Sequence, residues 1–379
     1  MRLIILFIRY DIIIRMRLFE YIRYVQEDIF SSPLIGIDIS DASIHFVKAA
    51  RHFAKHPTIE WFLNEPIPSG LVVAGEIKQE KELSEVIRKA ILRIKRAGTH
   101  SVVGALPEEK AFIKAIQVPY SEKSEELHNA IRFEAETSIP LSAAEMYLDY
   151  EDVTPRTLLF NHRDIIVVAY PRAVVDSYAR VLRGAGLRIF ALELESQGIV
   201  RALIDPTARD GAILCVDIGR TKAGFITYSE GSILFTSTVP IGGRDFEKAI
   251  QDGLSVSATE AEKLKKKIGL SKKEMGGRVF RALEPLVSII IDEAEKNINF
   301  FERHSRHGHG MEKNIKKIVL CGGDSHLSGV IELIAERTKV PVELGRSLAF
   351  FSNGSRGSLL EHDSLSFTTA LGLALRGIR

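Results

Sequence analysis

An aspartate at the end of an apolar strand, followed by a tight turn of small residues and a second apolar strand, occurs twice in this chain. The copies are LIGIDISDASIHF (34–46) and LCVDIGRTKAGFI (214–226). Laid over one another, they place Asp38 on Asp217, Ser40 on Gly219 and Ser43 on Lys222, an offset of 179 residues (217 − 38). Small residues let the main chain approach closely, so each turn can offer backbone N–H groups to phosphate oxygens. Its aspartate can hold a divalent cation through water. One such hairpin is an ordinary local choice, since Asp and Gly favour turns anywhere. Two at a fixed offset indicate related half-molecules, and the pair would clamp one nucleotide.

Two further segments carry chemistry of the same kind. In VPIGGRDFEKAIQDGLSVSATEAEKLKKK (239–267), Gly242 and Gly243 permit close backbone approach, and Asp245 sits where it can cap a helix beginning near Phe246. Glu262 and Lys265 are three apart on the next helix, hence on one face: the glutamate could accept from a ribose hydroxyl while the lysine reaches base or sugar. The lysine run around them reads equally as a solvated face. In KIVLCGGDSHLSGVIEL (317–333), an apolar strand ends in Gly322 and Gly323, and a helix starts at Ser325 or just after it. Glycines at such a corner admit a flat ring against the backbone.

The elements that must position these residues follow from periodicity. From residue 34 onward strand and helix signals alternate, which gives an α/β architecture. Leu83, Ile87, Ala90, Ile91 and Ile94 keep a helical rhythm, and 101–106, 112–118, 147–153 and 164–170 read as strands. Helices are expected over 124–137, over 172–185 up to Gly186, and from Pro285 to Arg303, with a boundary near 206–211.

Composition sets limits. With 379 residues, 45% hydrophobic and 26% charged, the chain can bury the cores of two or more domains. Lys and Arg number 51 against 49 Asp and Glu, so bulk charge gives no reason to expect nucleic acid. Cys215 and Cys321 each lie inside an apolar run and read as small core residues of a reducing cytoplasm. Within an N-terminal extension of residues 1–33, the stretch 1–24 is apolar but interrupted by Arg9, Asp11, Arg15 and Arg17, well short of the roughly 18 uncharged residues a spanning helix needs. A membrane-surface helix and a true start at Met16 both stay open for that extension. The histidines of HSRHGHG (304–310) have no carboxylate or cysteine at fixed spacing, so a mobile loop is favoured over a metal site.

In this order, the two hairpins, the GG-D segment with its A-E-x-x-K helix, and the strand-GG-helix corner resemble the nucleotide site of the actin-like ATPase superfamily. IRFEAETSIPLSAAEMYLDY (131–150), the opening 34–47, the VPIGG and AEKLK block and the closing LGLALRG (371–377) are similar to the PilM group of type IV pilus assembly. The resemblance runs from about residue 34 to the end. It implies a duplicated, ribonuclease H-like α/β fold: a first lobe over 34–208 with a small inserted α+β subdomain near 112–185, and a second over 209–379 with a subdomain near 245–316. It also implies ATP with Mg2+ held between the lobes. Asp38, Ser40, Asp41 and Ser43 would form the first phosphate hairpin, and Asp217, Gly219, Arg220 and Thr221 the second. Gly242, Gly243, Glu262, Lys265, Gly322 and Gly323 would surround ribose and adenine, with Asp38 and Asp217 facing the magnesium. The implied partner is the short N-terminal cytoplasmic tail of a PilN-like inner-membrane protein, held in a groove of the insertion, with self-association a further option. The location would be cytoplasmic, and membrane contact indirect.

One departure from the pattern is Arg220, which stands where many actin-like proteins have a small residue and would either contact or crowd the γ-phosphate. No general base can be named from spacing, so ATP binding is better supported than hydrolysis. Two rivals differ in class. A sugar or acetate kinase would carry a base aspartate beside a polar pocket, and the insertion shows no such cluster. A filament-forming division protein of the FtsA type would end in a basic amphipathic helix, whereas these residues end at 375–379 without one.

Overall fold

Strand β1 (Ile35–Ile39) is buried at every position except Asp38, and strand β11 (Ala212–Ile218) at every position except Asp217. Continuous apolar runs of this kind make central strands covered on both faces, and a carboxylate survives only where the strand emerges. Both aspartates lie at the C-terminal ends of such strands, where open α/β sheets bind ligands.

The computed structural model describes residues 34–50, 56–94, 100–121, 123–154, 161–205, 211–304, 314–352, 361–376 and 378. The expected N-terminal extension, the histidines beyond 304 and most of the expected boundary at 206–211 lie outside these.

β1 pairs antiparallel with β2 (Ser43–Ala50), which pairs antiparallel with β3 (Thr58–Pro66). On its other side β1 runs parallel to β6 (Ser101–Leu106), and β6 runs parallel to β10 (Arg188–Leu194). The sheet order is therefore β3-β2-β1-β6-β10. The second sheet repeats it strand for strand. β11 pairs antiparallel with β12 (Ala223–Ser229), β12 antiparallel with β13 (Ser232–Val239), and β14 (Ile315–Cys321) and β15 (Val342–Leu344) follow in parallel, in the order β13-β12-β11-β14-β15. Register repeats as well: Asp38 lies opposite His45 and Asp217 opposite Gly224, both pairs at the 179-residue offset.

Contacts divide the chain into two units, residues 1–202, 348–359 and 369–379, and residues 203–347 and 360–368. The C-terminal helix (Thr368–Ala374) thus falls almost wholly with the first unit, although its sequence follows the second lobe.

In the first unit, helix α1 (Glu80–Leu92) buries Leu83, Ile87, Ala90 and Ile91 on one stripe, with Glu80 and Glu82 favouring its N-terminal dipole. β4 (Val72–Val73) and β5 (Glu76–Ile77) form a short hairpin. The insertion is a three-stranded antiparallel sheet with β9 (His162–Pro171) between β7 (Phe112–Pro119) and β8 (Met146–Asp152), covered by helix α2 (Ser124–Ser138). Alternate residues of β9 serve two cores. Ile165, Val167 and Ala169 join the cluster with Ile131 and Ala135 of α2, and Val168 and Tyr170 join that of the first lobe. Helix α3 (Arg172–Gly184) packs on α1 in the first lobe's core, so the insertion's own core closes by residue 171. α3 ends where its sequence says it should: Leu187 N–H bonds the Leu182 carbonyl and Gly186 N–H the Arg183 carbonyl, the paired bonds of a Schellman close. Helix α4 (Glu195–Leu203) follows β10.

In the second unit, helices α5 (Gly243–Leu254), α6 (Ala258–Lys267), α7 (Arg278–His304) and α8 (Val330–Thr338) share one apolar cluster with the sheet. Three local expectations are corrected here. α5 begins at Gly243 with Gly242 as its N-cap, and Asp245 acts from the third helical position, accepting from Gly242 N–H at 2.9 Å. α7 starts at Arg278, so Pro285 sits inside it; the proline removes one ladder bond, and burial of Val279, Phe280 and Leu283 ahead of it outweighs that loss. α8 starts at Val330 because Ser325 Oγ donates to the Gly322 carbonyl at 2.6 Å, stabilising a turn that delays the helix.

Candidate nucleotide site

The two turns after β1 and β11 are closed by the same backbone bond. Ser40 N–H donates to the Ser43 carbonyl at 2.9 Å, and Gly219 N–H to the Lys222 carbonyl at 3.0 Å. The first turn adds side-chain bonds that the second cannot make, since Ser40 Oγ donates to the Ser43 carbonyl at 2.9 Å and accepts from Ser43 N–H at 3.1 Å. Asp41 turns away to the β4–β5 hairpin, accepting from Ala74 N–H at 2.7 Å and Gly75 N–H at 3.1 Å. Both of those residues have positive φ, so Asp41 stabilises a left-handed corner of the fold. Asp38 lies 3.8 Å from Nδ1 of His45 across the strand pair.

Around Asp217 the elements converge tightly. Gly322 has φ +88°, and a Cβ there would sit 2.3 Å from Oδ1 of Asp217 and 2.4 Å from the Ile218 carbonyl oxygen. Only glycine fits, and the corner after β14 is thereby pressed onto the end of β11. Gly323 is exposed, and a Cβ there would meet nothing closer than Cβ of Ser366 at 3.5 Å. Of the two glycines, Gly322 is required by packing, and Gly323 is the one with room beside it. Burial pushes the Cys215 thiol up to about 12, and pushes that of Cys321 well above its ordinary value, the Asp217 charge adding to the latter. Both thiols are inert core groups.

The N-terminus of α5 docks on the second turn. Gly243 N–H donates to the Gly219 carbonyl at 3.0 Å and Arg244 N–H to the Arg220 carbonyl at 2.8 Å. Gly242 makes this possible, since a Cβ would lie 2.5 Å from the Arg220 backbone; at Gly243 a Cβ would lie 1.9 Å from Oδ2 of Asp324. The groups that approach these glycines closely are therefore the protein's own turn and carboxylate.

Four charges then join turn, helices and corner. The Arg220 guanidinium donates through both terminal nitrogens to Glu247 of α5, each at 2.9 Å. Lys265 of α6, its side chain 7% exposed, donates to the same Glu247 at 2.8 Å, to Asp324 at 2.5 Å and to the Gly243 carbonyl at 3.5 Å. Burial raises the Glu247 carboxyl, but Arg220 and Lys265 outweigh that and hold it below the usual range. The same pairing raises the Arg220 guanidinium. Glu262 is exposed and bonded to Lys266 at 2.7 Å, which lowers its carboxyl; the charges of Glu247 and Lys265 reach it too, placing it at the rim of this cluster. Thr221 is half-buried in the turn.

The second unit thus brings Asp217, Gly219, Arg220, Thr221, Gly242, Gly243, Lys265 and Gly322 to one place. Sequence reasoning missed Glu247 and Asp324. A signal existed for each: Asp324 directly follows the paired glycines, and Glu247 lies four residues after Gly243, on the same face of α5. Among the described residues no group of three or more His, Cys, Asp or Glu is placed to hold a metal ion, and no helix is long and apolar enough to cross a membrane.

Residues 36–378 match the family model for the type IV pilus assembly protein PilM. The chain belongs to the PilM family. The solved structure of a PilM–PilN type IV pilus biogenesis complex superposes with a TM-score of 0.75, at 24% identity, covering 92% of this chain and 99% of that one. MreB5 of Spiroplasma citri bound to AMPPNP superposes with a TM-score of 0.53 at 14% identity, covering 90% and 95%. These likenesses and the doubled sheet establish the duplicated actin-like ATPase fold for this PilM-family chain. Among curated relatives, the cell division protein FtsA of Bacillus subtilis (strain 168) is 23% identical over 134 residues, 31% of this chain. The match spans only 30% of the length of that relative.

Proposed function

We propose that this chain is an ATP-binding scaffold of type IV pilus assembly, in which nucleotide alters the protein's shape and so its hold on a membrane partner. One observation carries the nucleotide reading. Two aspartates, each the single accessible residue of a buried central strand, precede turns closed by the same backbone bond at a 179-residue offset. Magnesium that arrives with a triphosphate keeps several waters and needs only one or two protein carboxylates, which suits Asp38 and Asp217. The turn residues Ser40, Ser43, Gly219 and Thr221 would take phosphate oxygens, and Gly323, with its open side, the purine. Binding, rather than turnover, is the proposed role.

The partner reading draws on the likeness to the solved PilM–PilN complex. In this chain the partner would be the N-terminal cytoplasmic tail of a PilN-like inner-membrane protein, which would place the protein at the cytoplasmic face of that membrane. The test is calorimetric titration of the full chain with Mg-ATP, with and without a peptide copying that tail, repeated for Asp38→Ala and Asp217→Ala. The expected result is micromolar-range binding, lost on the order of tenfold or more in each variant, and a peptide affinity that differs between nucleotide-free and nucleotide-loaded protein. Unchanged ATP affinity in both variants would remove the aspartates from the site. A peptide that binds in no nucleotide state would remove the scaffold role.

A further inference from the structure

Arg220 and Glu247 form an ion pair whose two ends differ. The Glu247 side chain is 11% exposed and that of Arg220 is 49% exposed. The carboxylate is fixed from the inside by Lys265, while Arg220 stands in the turn that follows Asp217 and its guanidinium reaches Glu247 on α5. Only one hydrogen on each terminal nitrogen of Arg220 is engaged by Glu247, which leaves further N–H donors of the planar group open to an anion.

Charge balance gives the pair a direction. Lys265 faces two carboxylates, Glu247 and Asp324, an excess of one negative charge beside the turn. Arg220 cancels it. Without Arg220, a ligand bearing clustered negative charge would meet uncompensated carboxylates across a short, poorly screened distance. With Arg220 held by Glu247, the same ligand meets a fixed guanidinium whose remaining N–H groups can donate to it.

Resting on the reading of this turn as a phosphate site, we infer that Arg220 determines the preference for a nucleoside triphosphate over the diphosphate, and that Glu247 is the positioning residue that sets its place and strength. The terminal phosphate is the group that responds to Arg220, because it adds charge to the ligand without adding contacts to sugar or base.

The experiment measures affinities of the full chain for Mg-ATP and Mg-ADP by titration in the wild type, Arg220→Ala, Glu247→Gln and the double variant. Arg220 is half exposed, so Arg220→Ala leaves the fold in place, and thermal unfolding checks each protein. Arg220→Ala should lower the ATP-to-ADP affinity ratio by about tenfold, the scale of one lost charge-assisted hydrogen bond. Glu247→Gln, which removes a negative charge and keeps Arg220, should move the ratio the opposite way. The double variant lacks the guanidinium that Glu247 positions and should keep the low ratio of Arg220→Ala; a double variant with the wild-type ratio would show that local net charge, and not Arg220, sets the preference, and overturns the inference. A purely structural pair would weaken both ligands alike in both single variants, and that result overturns the inference. Wild-type protein that binds ATP while Arg220→Ala keeps its ratio overturns this inference alone. Wild-type protein that binds neither nucleotide overturns the nucleotide reading and this inference with it.

Discussion

Lys265 places its ammonium 2.5 Å from the Asp324 carboxylate, with the two side chains only 7% and 14% exposed. The pair crosses from helix α6 to the turn after β14, and Glu247 makes it a triad. Desolvating such charges is expensive, and what compensates is their mutual contact. Lys265→Met is therefore expected to destabilise the second unit by about 3 kcal/mol, because it removes the ammonium that pairs both carboxylates and leaves Arg220 bonded to Glu247 alone. Urea unfolding measures this. A variant as stable as the wild type would mean that the triad is not held together in solution.

Acid should reveal the Glu247 contacts directly. Its carboxyl is lowered in the folded protein from an ordinary value of 4.5, burial being outweighed by hydrogen bonds from Arg220 and Lys265. A lowered folded value means that the unfolded chain binds the proton more readily. The contribution is therefore present above about pH 4.5 and is lost as pH falls through the folded value. Arg220→Ala narrows that window. Its stability, measured by urea titration from neutral pH into acid, should fall less steeply below pH 4.5 than that of the wild type; parallel curves would show that Arg220 does not perturb Glu247.

Gly322 offers a stereochemical test. It combines a positive φ with contacts that leave no space, since an added Cβ would lie 2.3 Å from the Asp217 carboxylate. Gly70 has a similar φ of +91° and nothing within 4 Å of an added Cβ. Gly70→Ala should cost only the left-handed backbone strain, about 1 kcal/mol. Gly322→Ala should cost that and a displaced strand end, on the order of 3 kcal/mol. The two melting temperatures, side by side, separate strain from crowding, and equal shifts would contradict the tight corner.

Much of the fold was legible because its signals are local. Apolar runs ending in Asp38 and Asp217, the stripe of Leu83, Ile87 and Ala90, and the stop at Gly186 each depend on neighbours in sequence. The doubled hairpin gave the strand pairing, and the 179-residue offset carried into register without a shift. What could not be read was decided by distant chain. Asp245 looked like an N-cap, yet the docking of Gly243 on the Gly219 carbonyl starts α5 earlier. Glu262 and Lys265 looked like one functional pair, but Glu247 and Asp324 draw Lys265 inward while Glu262 stays outside with Lys266. Pro285 looked like a helix start, and the burial of Val279 and Leu283 extends α7 ahead of it.

A buried carboxylate anchors the C-terminal segment to the first unit. Glu193 on β10 is fully buried and receives two bonds from Arg201 of α4, at 2.8 and 3.1 Å, and another from Arg376, which follows the C-terminal helix. Arg201 also donates to the Gly372 carbonyl at 2.9 Å, and its burial lowers the guanidinium to about 10. One carboxylate thus serves two buried cations and ties residues far apart in sequence into the first unit. Glu193→Ala removes the buried carboxylate that both guanidinium groups share and should cost about 3–5 kcal/mol. Arg376→Ala leaves Glu193 paired with Arg201 through two bonds and should cost less. Urea unfolding of the two variants gives the order, and an Arg376→Ala loss larger than that of Glu193→Ala would show that the segment is held by something other than this carboxylate.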